Sequence, residues 1–329
     1  MRLDAFARLL RAAKRVDSVG RLTGPVDEAI GMIMDVAVDS VGRTFVLDRA
    51  FSRIRIFDRS GKPSGFVGQS GAGPLDFRSP MEIWVNAGEV VVADLALGLK
   101  RIRFDSRGQP QLHRVIPPDG WAMCQSRGQV ISMGTGVRGG DTSAAERLVR
   151  VRDSTGRVIR QFGAGYQARQ ALVRSVMNEG VVACTGGGDV VIALSRLPFV
   201  RGFRPDGSEA WVTRLSDFRV GVSRERVNER GQLAIGVDPD NPDGSFTMRA
   251  RELSAGIVCV QVGLMTLRAL TAKTLWERID TYLIDAASGR SVFVASDLPT
   301  IGSVLGRRIY AFQNEPFPMV VILEARATS

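Results

Sequence analysis

The sequence has 329 residues, of which 44% are hydrophobic and 24% charged, and this composition excludes an intrinsically disordered chain. Its formal net charge is +10, yet the arginines that carry most of the positive charge are spread evenly and form no dense basic run, which argues against a nucleic-acid-binding patch. No apolar run approaches the roughly 20 residues of a membrane-spanning helix, so a protein with such helices is excluded as well.

The first 15 residues predict an amphipathic helix that precedes a single domain over residues 16–329. The side chains of Leu3, Phe6 and Leu10 fall on one helical face, while Asp4 and Arg8 interrupt the apolar stretch that a signal peptide would need. The sequence as it stands also has no lipobox, so it predicts a cytoplasmic protein.

Two similar units, residues 35–61 and 81–108, follow the helix. Each has an apolar strand, a turn with glycine, a β-branched strand that ends in aspartate, and a third strand that closes on Asp-x-x-Gly. We expect the terminal aspartates, Asp48 and Asp94, to pair with the arginines that open the next strands, Arg53 and Arg101. The turn glycine recurs roughly every 50 residues, a spacing typical of four-stranded propeller blades. These glycines are Gly61, Gly108, Gly156 and Gly207.

The later units are less regular but continue the pattern. A polar insertion at Val137–Arg147 interrupts the third unit, and a helix-like insertion at Gly263–Asp280 interrupts the fifth. The sixth unit ends before its fourth strand, and we expect Val16–Leu22 to supply that strand, because closure by the other end of the chain removes an exposed sheet edge. The sequence therefore predicts an all-β fold, a six-bladed β-propeller with four-stranded antiparallel blades and a short N-terminal helix.

The three cysteines are predicted to be free core residues. Cys124, Cys184 and Cys259 lie far apart in apolar stretches, with no C-x-x-C spacing. Their odd number and spacing favour neither a disulfide framework nor a zinc site.

Residues 35–109 resemble NHL-type repeats. The matching elements are Gly68–Pro80, which follows the pattern G-x-G-x-x-G-P-x-x-F-x-x-P, then Val92-Ala93-Asp94, Arg101-Ile102 and Phe104–Gly108. The whole chain is also similar to bacterial proteins described only as six-bladed β-propellers, many of them exported or lipid-anchored. This resemblance implies a propeller, and an exported protein if the true start lies further upstream.

Three motifs could be mistaken for sites of chemistry. Gly71–Pro74 is rich in glycine, but it lacks the preceding strand and following helix of a phosphate-binding loop. Asp238–Gly244 has proline where a calcium loop needs its third oxygen ligand, so it is interpreted as a rigid surface turn. The only histidine, His113, cannot build a three-histidine zinc site and is expected to be an ordinary strand residue.

Lactonase and gluconolactonase propellers suggest one alternative function, a divalent-metal-dependent hydrolase. These enzymes hold a calcium or similar ion with Glu, Asn and Asp oxygens, the ligands that hard cations prefer. The candidates here are Glu82, Asn178 and Glu179, although turn or packing roles are favoured for them.

Single-stranded RNA binding is a second alternative. Some NHL propellers bind RNA on a basic face, and connections between the predicted second and third strands carry arginines with an aromatic residue for base stacking. These residues are Arg49, Phe51, Arg53, Arg138 and Arg196.

We favour a non-enzymatic binding propeller that uses one loop face and the channel mouth to bind a protein, a peptide or a small ligand. No catalytic residue, cofactor or nucleic-acid partner is expected, and Ca²⁺ enters only with the hydrolase alternative. The insertions Val137–Arg147 and Gly263–Asp280 are where we expect specificity, because loops on a rigid scaffold vary freely. We expect a monomer.

Overall fold

The computed structural model describes residues 3–20, 29–105, 107–117, 120, 122–134, 147–227, 233–238, 240–272 and 274–324. The chain forms two compact units. The first comprises Met1–Ala7 and Asp119–Leu298, and the second comprises Arg8–Pro118 and Pro299–Ser329. Among the described residues, no helix has both the length and the apolar character needed to cross a bilayer.

Six four-stranded antiparallel sheets form the blades, preceded by helix α1 (Leu3–Ala12) and strand β1 (Lys14–Val19). Blade one is β2 (Ile33–Val38), β3 (Thr44–Asp48), β4 (Arg53–Phe57) and β5 (Pro63–Val67), and blade two is β6 (Pro80–Asn86), β7 (Glu89–Asp94), β8 (Gly98–Phe104) and β9 (Pro110–Ile116). Blade three is β10 (Ala122–Ser126), β11 (Gln129–Met133), β12 (Arg147–Arg152) and β13 (Val158–Ala164).

Helix α2 (Ala171–Met177) precedes blade four, which is β14 (Gly180–Cys184), β15 (Val190–Leu194), β16 (Phe199–Phe203) and β17 (Glu209–Arg214). The hairpin of β18 (Ser223–Val227) and β19 (Leu233–Val237) precedes blade five, which is β20 (Gly244–Ser254), β21 (Ile257–Met265), β22 (Arg278–Asp285) and β23 (Ser291–Ser296), with α3 (Leu267–Thr271) inside it. Blade six is β24 (Thr300–Leu305), β25 (Arg308–Gln313), β26 (Met319–Glu324) and β1. The prediction of an all-β, six-bladed β-propeller with an N-terminal helix is confirmed.

The last blade is completed by the N-terminal strand, as predicted. β1 pairs antiparallel with β26, with Val19 opposite Val320 and Lys14 opposite Glu324. The strand begins two residues earlier than expected and ends at Val19, and positions 21 and 22 of the predicted strand lie outside the described residues. This pairing covers the edge of β26 that would otherwise offer unpaired backbone groups.

Helix α1 is amphipathic, as predicted. Leu3, Phe6 and Leu10 are all buried, because they recur at helical spacing on one face. On the polar face Asp4 accepts a hydrogen bond from the Arg290 guanidinium at 2.8 Å.

Turn chemistry explains the spacing of the repeat. In the Asp-x-x-Gly turns, the aspartate carboxylate accepts backbone N–H groups two and four residues later, as Asp58 does from Ser60 at 2.8 Å and Lys62 at 3.0 Å. The glycine that follows, such as Gly61 with φ +78°, is in the left-handed region. The same positive φ recurs in the corresponding turn of blades one to five, at Gly61, Gly108, Gly156, Gly207 and Gly289.

The predicted aspartate–arginine pairs are wrong in their partners. Asp48 pairs with Arg55, at 2.9 Å and with both side chains buried, because Arg53 packs instead between two phenylalanine rings and Arg55 lies on the same face two residues further on. Asp94 accepts backbone N–H groups, among them that of Arg78 at 2.8 Å. Arg101 lies opposite Val91 in the strand register, away from Asp94, and pairs with a different carboxylate.

The prediction of three free cysteines is also wrong. Cys124 on β10 and Cys184 on β14 form a disulfide, while Cys259 is free and buried as expected. The two residues are 60 positions apart in sequence, but the first strands of neighbouring blades pack side by side and bring their Cα atoms to 5.7 Å. That distance lies within the range that a disulfide needs.

The glycine-rich loop encloses a lysine rather than a phosphate. The buried ammonium group of Lys100 donates hydrogen bonds to the carbonyls of Gly73 and Pro74, at 3.0 and 3.2 Å, and also to that of Asp76. Burial lowers the pKa of Lys100, and the charges of Asp94 and Asp76 oppose this effect. The N–H of Gly73 donates to the Asp76 carboxylate at 3.0 Å. The loop therefore directs carbonyl groups, and not amide N–H groups, at the Lys100 ammonium. The inter-blade role predicted for this loop therefore agrees with its geometry.

Candidate functional site

Blades four and five, both in the first unit, carry their long connections at one end of their strands. In blade four, Gly180 at the start of β14 lies opposite Leu194 at the end of β15. The segment that enters β14 and the link to β16 therefore lie at the same end of the strands. In blade five, Gly244 lies opposite Met265, which places the segment entering β20 and the link to β22 together in the same way. We call the described residues of 165–179, 195–198, 215–243 and 266–277 the insertion surface.

Three short elements build the insertion surface. α2 precedes β14 and lies against β19, and its sequence contains the good helix formers alanine, leucine and methionine. α3 begins after Thr266, whose side chain accepts a hydrogen bond from the N–H of Ala269 at 3.2 Å and caps the helix. The sequence predicted a longer helical insertion over Gly263–Asp280, but β21 continues to Met265 and β22 already begins at Arg278. The hairpin β18–β19 and helix α2 were not predicted.

Large apolar side chains are exposed on this surface. Val227 on β18 and Leu267 on α3 have 68% and 60% of their surface accessible. Among the side chains that the structure describes on this surface, those exposed in this way are Tyr166, Val220, Val222, Val227, Leu267, Leu270 and Leu275. Because exposed apolar side chains carried by long connections on a rigid scaffold are typical of interaction surfaces, we take the insertion surface as the candidate functional site.

Arg196 packs against a pair of aromatic rings on the insertion surface. Its guanidinium carbon lies 5.0 Å from the centroid of the Phe246 ring, which packs against the Trp276 ring at 6.0 Å between centroids. A Cβ at Gly263 would lie 2.3 Å from that indole ring, so glycine is needed for the tryptophan to lie flat on β21. Arg196 also reaches the hydroxyl of Ser223 on the hairpin, at 3.4 Å.

Glu179 lies close enough to Arg196 for their charges to interact. Burial raises the pKa of Glu179, and the positive charge of Arg196 offsets part of that rise. Burial likewise lowers the pKa of Arg196, and Glu179 opposes this change. The two charges therefore stabilise each other at a position where burial disfavours both. The sequence had assigned these residues to different functions, Glu179 to metal binding and Arg196 to RNA binding.

The recess beside this stack is too small for an organic ligand. It lies between Arg196, Val222 and Phe246 and has a volume of about 10 Å³, which is room for about one water molecule. The surface therefore suits a partner that lies across it more than a small molecule that enters it.

The structure uses one candidate metal ligand, Asn178, in backbone hydrogen bonds. The Asn178 side chain is buried and bonds the backbone of Tyr166 in both directions, with Oδ1 accepting from the N–H at 2.6 Å and Nδ2 donating to the carbonyl at 3.1 Å. Glu82, half-buried on β6, belongs to the second unit. In the part of the chain that the structure describes, no group of three or more His, Cys, Asp or Glu side chains could hold a metal ion.

The residues proposed for an RNA face are divided between the two units. Arg49 and Phe51 lie in the link between β3 and β4 of blade one and Arg53 opens β4, all in the second unit, whereas Arg196 belongs to the first. The ring of Phe51 already carries two guanidinium groups, with Arg53 at 4.9 Å and Arg55 at 5.3 Å. Arg138 lies outside the described residues.

A charged cluster on blade two was missed in the sequence. Glu89 is buried at the start of β7 and accepts hydrogen bonds from Arg101 and Arg103, while His113 Nδ1 lies 2.6 Å from its Oε1. A bulge in β9 leaves His113 out of the strand register. Burial raises the pKa of Glu89, but the hydrogen bonds and charges of Arg103 and Arg101 outweigh it, so this pKa lies below its ordinary value. A glutamate in place of an apolar residue at the start of a buried strand is the signal that could have revealed the cluster.

Comparison with known proteins establishes the fold. No protein-family model and no curated protein matches the sequence. A member of the DUF4221 family from Bacteroides vulgatus is 8% identical, with a TM-score of 0.57 over 95% of this chain and 97% of that chain. A protein of Bacteroides fragilis that is named as exported is 11% identical, with a TM-score of 0.53 over 96% of each chain. The chain is thus a six-bladed β-propeller that shares its fold with these two Bacteroides proteins.

Proposed function

We propose that the protein is a non-enzymatic interaction propeller whose insertion surface binds a polypeptide segment with apolar side chains. The observation that carries the proposal is the set of exposed apolar side chains on α3, on the hairpin and on the links beside them. A polypeptide can cover such a surface, and burial of its apolar groups would supply most of the binding free energy.

Charges of both signs flank these apolar side chains. Arg169 before α2 and Arg268 on α3 are exposed, but Asp217 and Asp240 are exposed as well. Arg224 already pairs with Asp240 at 3.0 Å. The surface therefore does not select a partner by the sign of its charge, and apolar contact carries the recognition.

Peptide selection with the purified chain tests this proposal. We expect peptides rich in apolar residues to be enriched and to bind at least about tenfold more weakly to Leu267→Glu, which places a charge on the apolar surface. Ile159→Glu is the matched control, because Ile159 is also exposed but lies on β13, away from the insertion surface. Equal binding to all three proteins, or no enrichment, would contradict the proposal.

The finer family assignment is also a proposal. We infer that the repeats are of the NHL type, on the match of Gly68–Pro80 and Phe104–Gly108 to the family pattern. The carbonyls of Gly73, Pro74 and Asp76 around Lys100 support it by giving the glycine-rich part of that pattern a structural role.

The disulfide supports export. Disulfides form and persist in oxidising compartments, so the Cys124–Cys184 bond favours the exported alternative over the cytoplasmic one. Titration of thiols in protein isolated without reductant tests this inference. We expect one thiol per denatured chain, whereas three would contradict it.

Metal analysis separates the proposal from the hydrolase alternative. We expect no stoichiometric divalent ion and the same melting temperature with and without added calcium. A specific ion bound to the native state would raise that temperature by linkage, and such a rise would favour the hydrolase.

A further inference from the structure

The second unit contains a cleft that the proposed function does not use. It has a volume of about 480 Å³ and lies between the hairpin turns that join the first and second strands of blades six, one and two. Most of its lining is apolar, contributed by Val38, Val41, Phe45, Val85, Val90 and Leu305. Small-molecule sites have volumes of roughly 300–1,000 Å³ and combine apolar walls with a few fixed polar groups. Size and lining both meet this description.

Arg43 is the cation at this cleft, and three contacts hold it in place. Its Nε donates to Asp39 at 2.7 Å, and its guanidinium carbon lies 5.5 Å from the centroid of Phe45 and 5.3 Å from that of Phe104. A guanidinium has five N–H donors, and the hydrogen bond to Asp39 uses one of them. The side chain is therefore fixed while donors remain for a ligand, which is the arrangement that recognises a carboxylate.

Asp39 is less available to a cationic ligand, because both of its carboxylate oxygens already accept hydrogen bonds. Its Oδ1 accepts the backbone N–H groups of Val41 and Arg43, at 3.1 and 2.8 Å, and its Oδ2 accepts the Arg43 side chain. The remaining donors of Arg43 and the occupied acceptors of Asp39 together favour an anionic head group over a cationic one.

We propose that this cleft binds a small carboxylic acid with an apolar body, whose carboxylate accepts hydrogen bonds from Arg43. The apolar body lies against the valines and Leu305, and the anionic group lies at the lip, beside Asp39 and Arg43. This site belongs to the second unit and is independent of the polypeptide surface proposed above for the first.

Calorimetric titration of the full chain with octanoate, octanol and octylamine tests this site. The three probes share an apolar chain and differ only in the head group. We expect octanoate to bind with a stoichiometry of one and at least about tenfold more tightly than either of the others. Equal affinity for the three probes, or no binding of octanoate, would overturn the proposal.

Two variants locate the binding. Arg43→Gln leaves the backbone bonds of Asp39 in place, and we expect it to weaken octanoate at least about tenfold without changing octanol. The control is Arg157→Gln, since Arg157 also pairs with an aspartate four residues earlier but is far more exposed. An equal loss in the control would refute the role of Arg43.

Val41→Trp provides a test that does not depend on the arginine. Val41 is 65% exposed at the lip, so the larger side chain fills the cleft without entering the core. We expect it to abolish binding of all three probes with an unchanged melting temperature. If octanoate still binds this variant with wild-type affinity, the ligand does not occupy the cleft and the proposal fails.

Discussion

At the scale of single residues, the buried charges of this protein are defined by their partners. Asp48 and Arg55 neutralise each other inside blade one, and Lys100 is enclosed by three carbonyls of a loop. Glu89 differs because two arginines, Arg101 and Arg103, both pair with its single carboxylate. A buried charge that loses its partner destabilises a protein far more than the pair stabilises it. We therefore expect both a substitution of Glu89 and a change of pH to alter the free energy of unfolding through this cluster.

We expect Glu89→Gln to lower the free energy of unfolding by about 2 kcal/mol at neutral pH, because it removes hydrogen bonds to a charged acceptor. The folded pKa of Glu89 lies below its ordinary value of 4.5, so its stabilising contribution is present above that pH and is lost as the pH falls through the folded value. Urea unfolding of both proteins at several pH values measures the difference, which should shrink below pH 4.5.

A surface pair supplies the control for this experiment. Glu209 pairs with Arg201 but is 38% exposed, so Glu209→Gln should change stability by less than about 1 kcal/mol. A difference between wild type and Glu89→Gln that stays constant down to acid pH would mean that the cluster does not hold Glu89 ionised.

At the scale of elements, the connections at the two ends of the strands are built differently. The insertion surface of blades four and five has long connections, whereas the turn between first and second strands is tight in all six blades and contains a glycine with positive φ. These glycines are Gly42, Gly88, Gly128, Gly188, Gly256 and Gly306. The tight turns fix the positions of the strands at one end. At the other end, helices and a hairpin can be added to the connections without disturbing the strands.

Gly256→Ala tests the need for this conformation. No atom lies within 4 Å of the position of the added Cβ and φ is +71°, so the cost of the substitution is that of the backbone alone, about 1–2 kcal/mol. Gly186→Ala is the matched control, since its Cβ would lie 3.9 Å from the nearest atom and its φ is not in the left-handed region. Equal unfolding free energies for the two variants, measured in urea, would argue against the backbone explanation.

At the scale of the whole molecule, the blades could be predicted because their turn chemistry repeats. Aspartate and glycine mark the same turn in blades one to five, and Gly289 extends the repeat into the region where the strand pattern was harder to follow. The segment before blade five lacks these markers, so the hairpin β18–β19 was missed. Strand pairing inside a blade can be read from such local signals.

Contacts between blades could not be predicted in the same way. Cys124 and Cys184 meet because the first strands of blades three and four pack together, and nothing in a spacing of 60 residues reports that contact. Glu179 and Arg196 are a similar case. Each was noticed for its residue type, but their proximity depends on the tertiary packing of two connections.

The disulfide should be a major contributor to global stability. Replacing Cys124 and Cys184 with serine together should lower the free energy of unfolding by about 4 kcal/mol, because the bond closes a loop of 60 residues in the unfolded chain. Denaturation of the double variant and of wild type, each without reductant, measures this. If dithiothreitol lowers the stability of the double variant as much as that of wild type, the effect is not due to this bond.

The pairing of β1 with β26 has a consequence for how the protein is made. During synthesis β1 leaves the ribosome first and has no partner until β26 emerges, which takes tens of seconds at the usual rate of translation. Blade six is therefore the last to be completed, and a nascent chain that stalls before β26 retains a free strand at its start. Blade six, which takes one strand from residues 14–19 and three from residues 300–324, thus makes folding of the second unit depend on synthesis through β26.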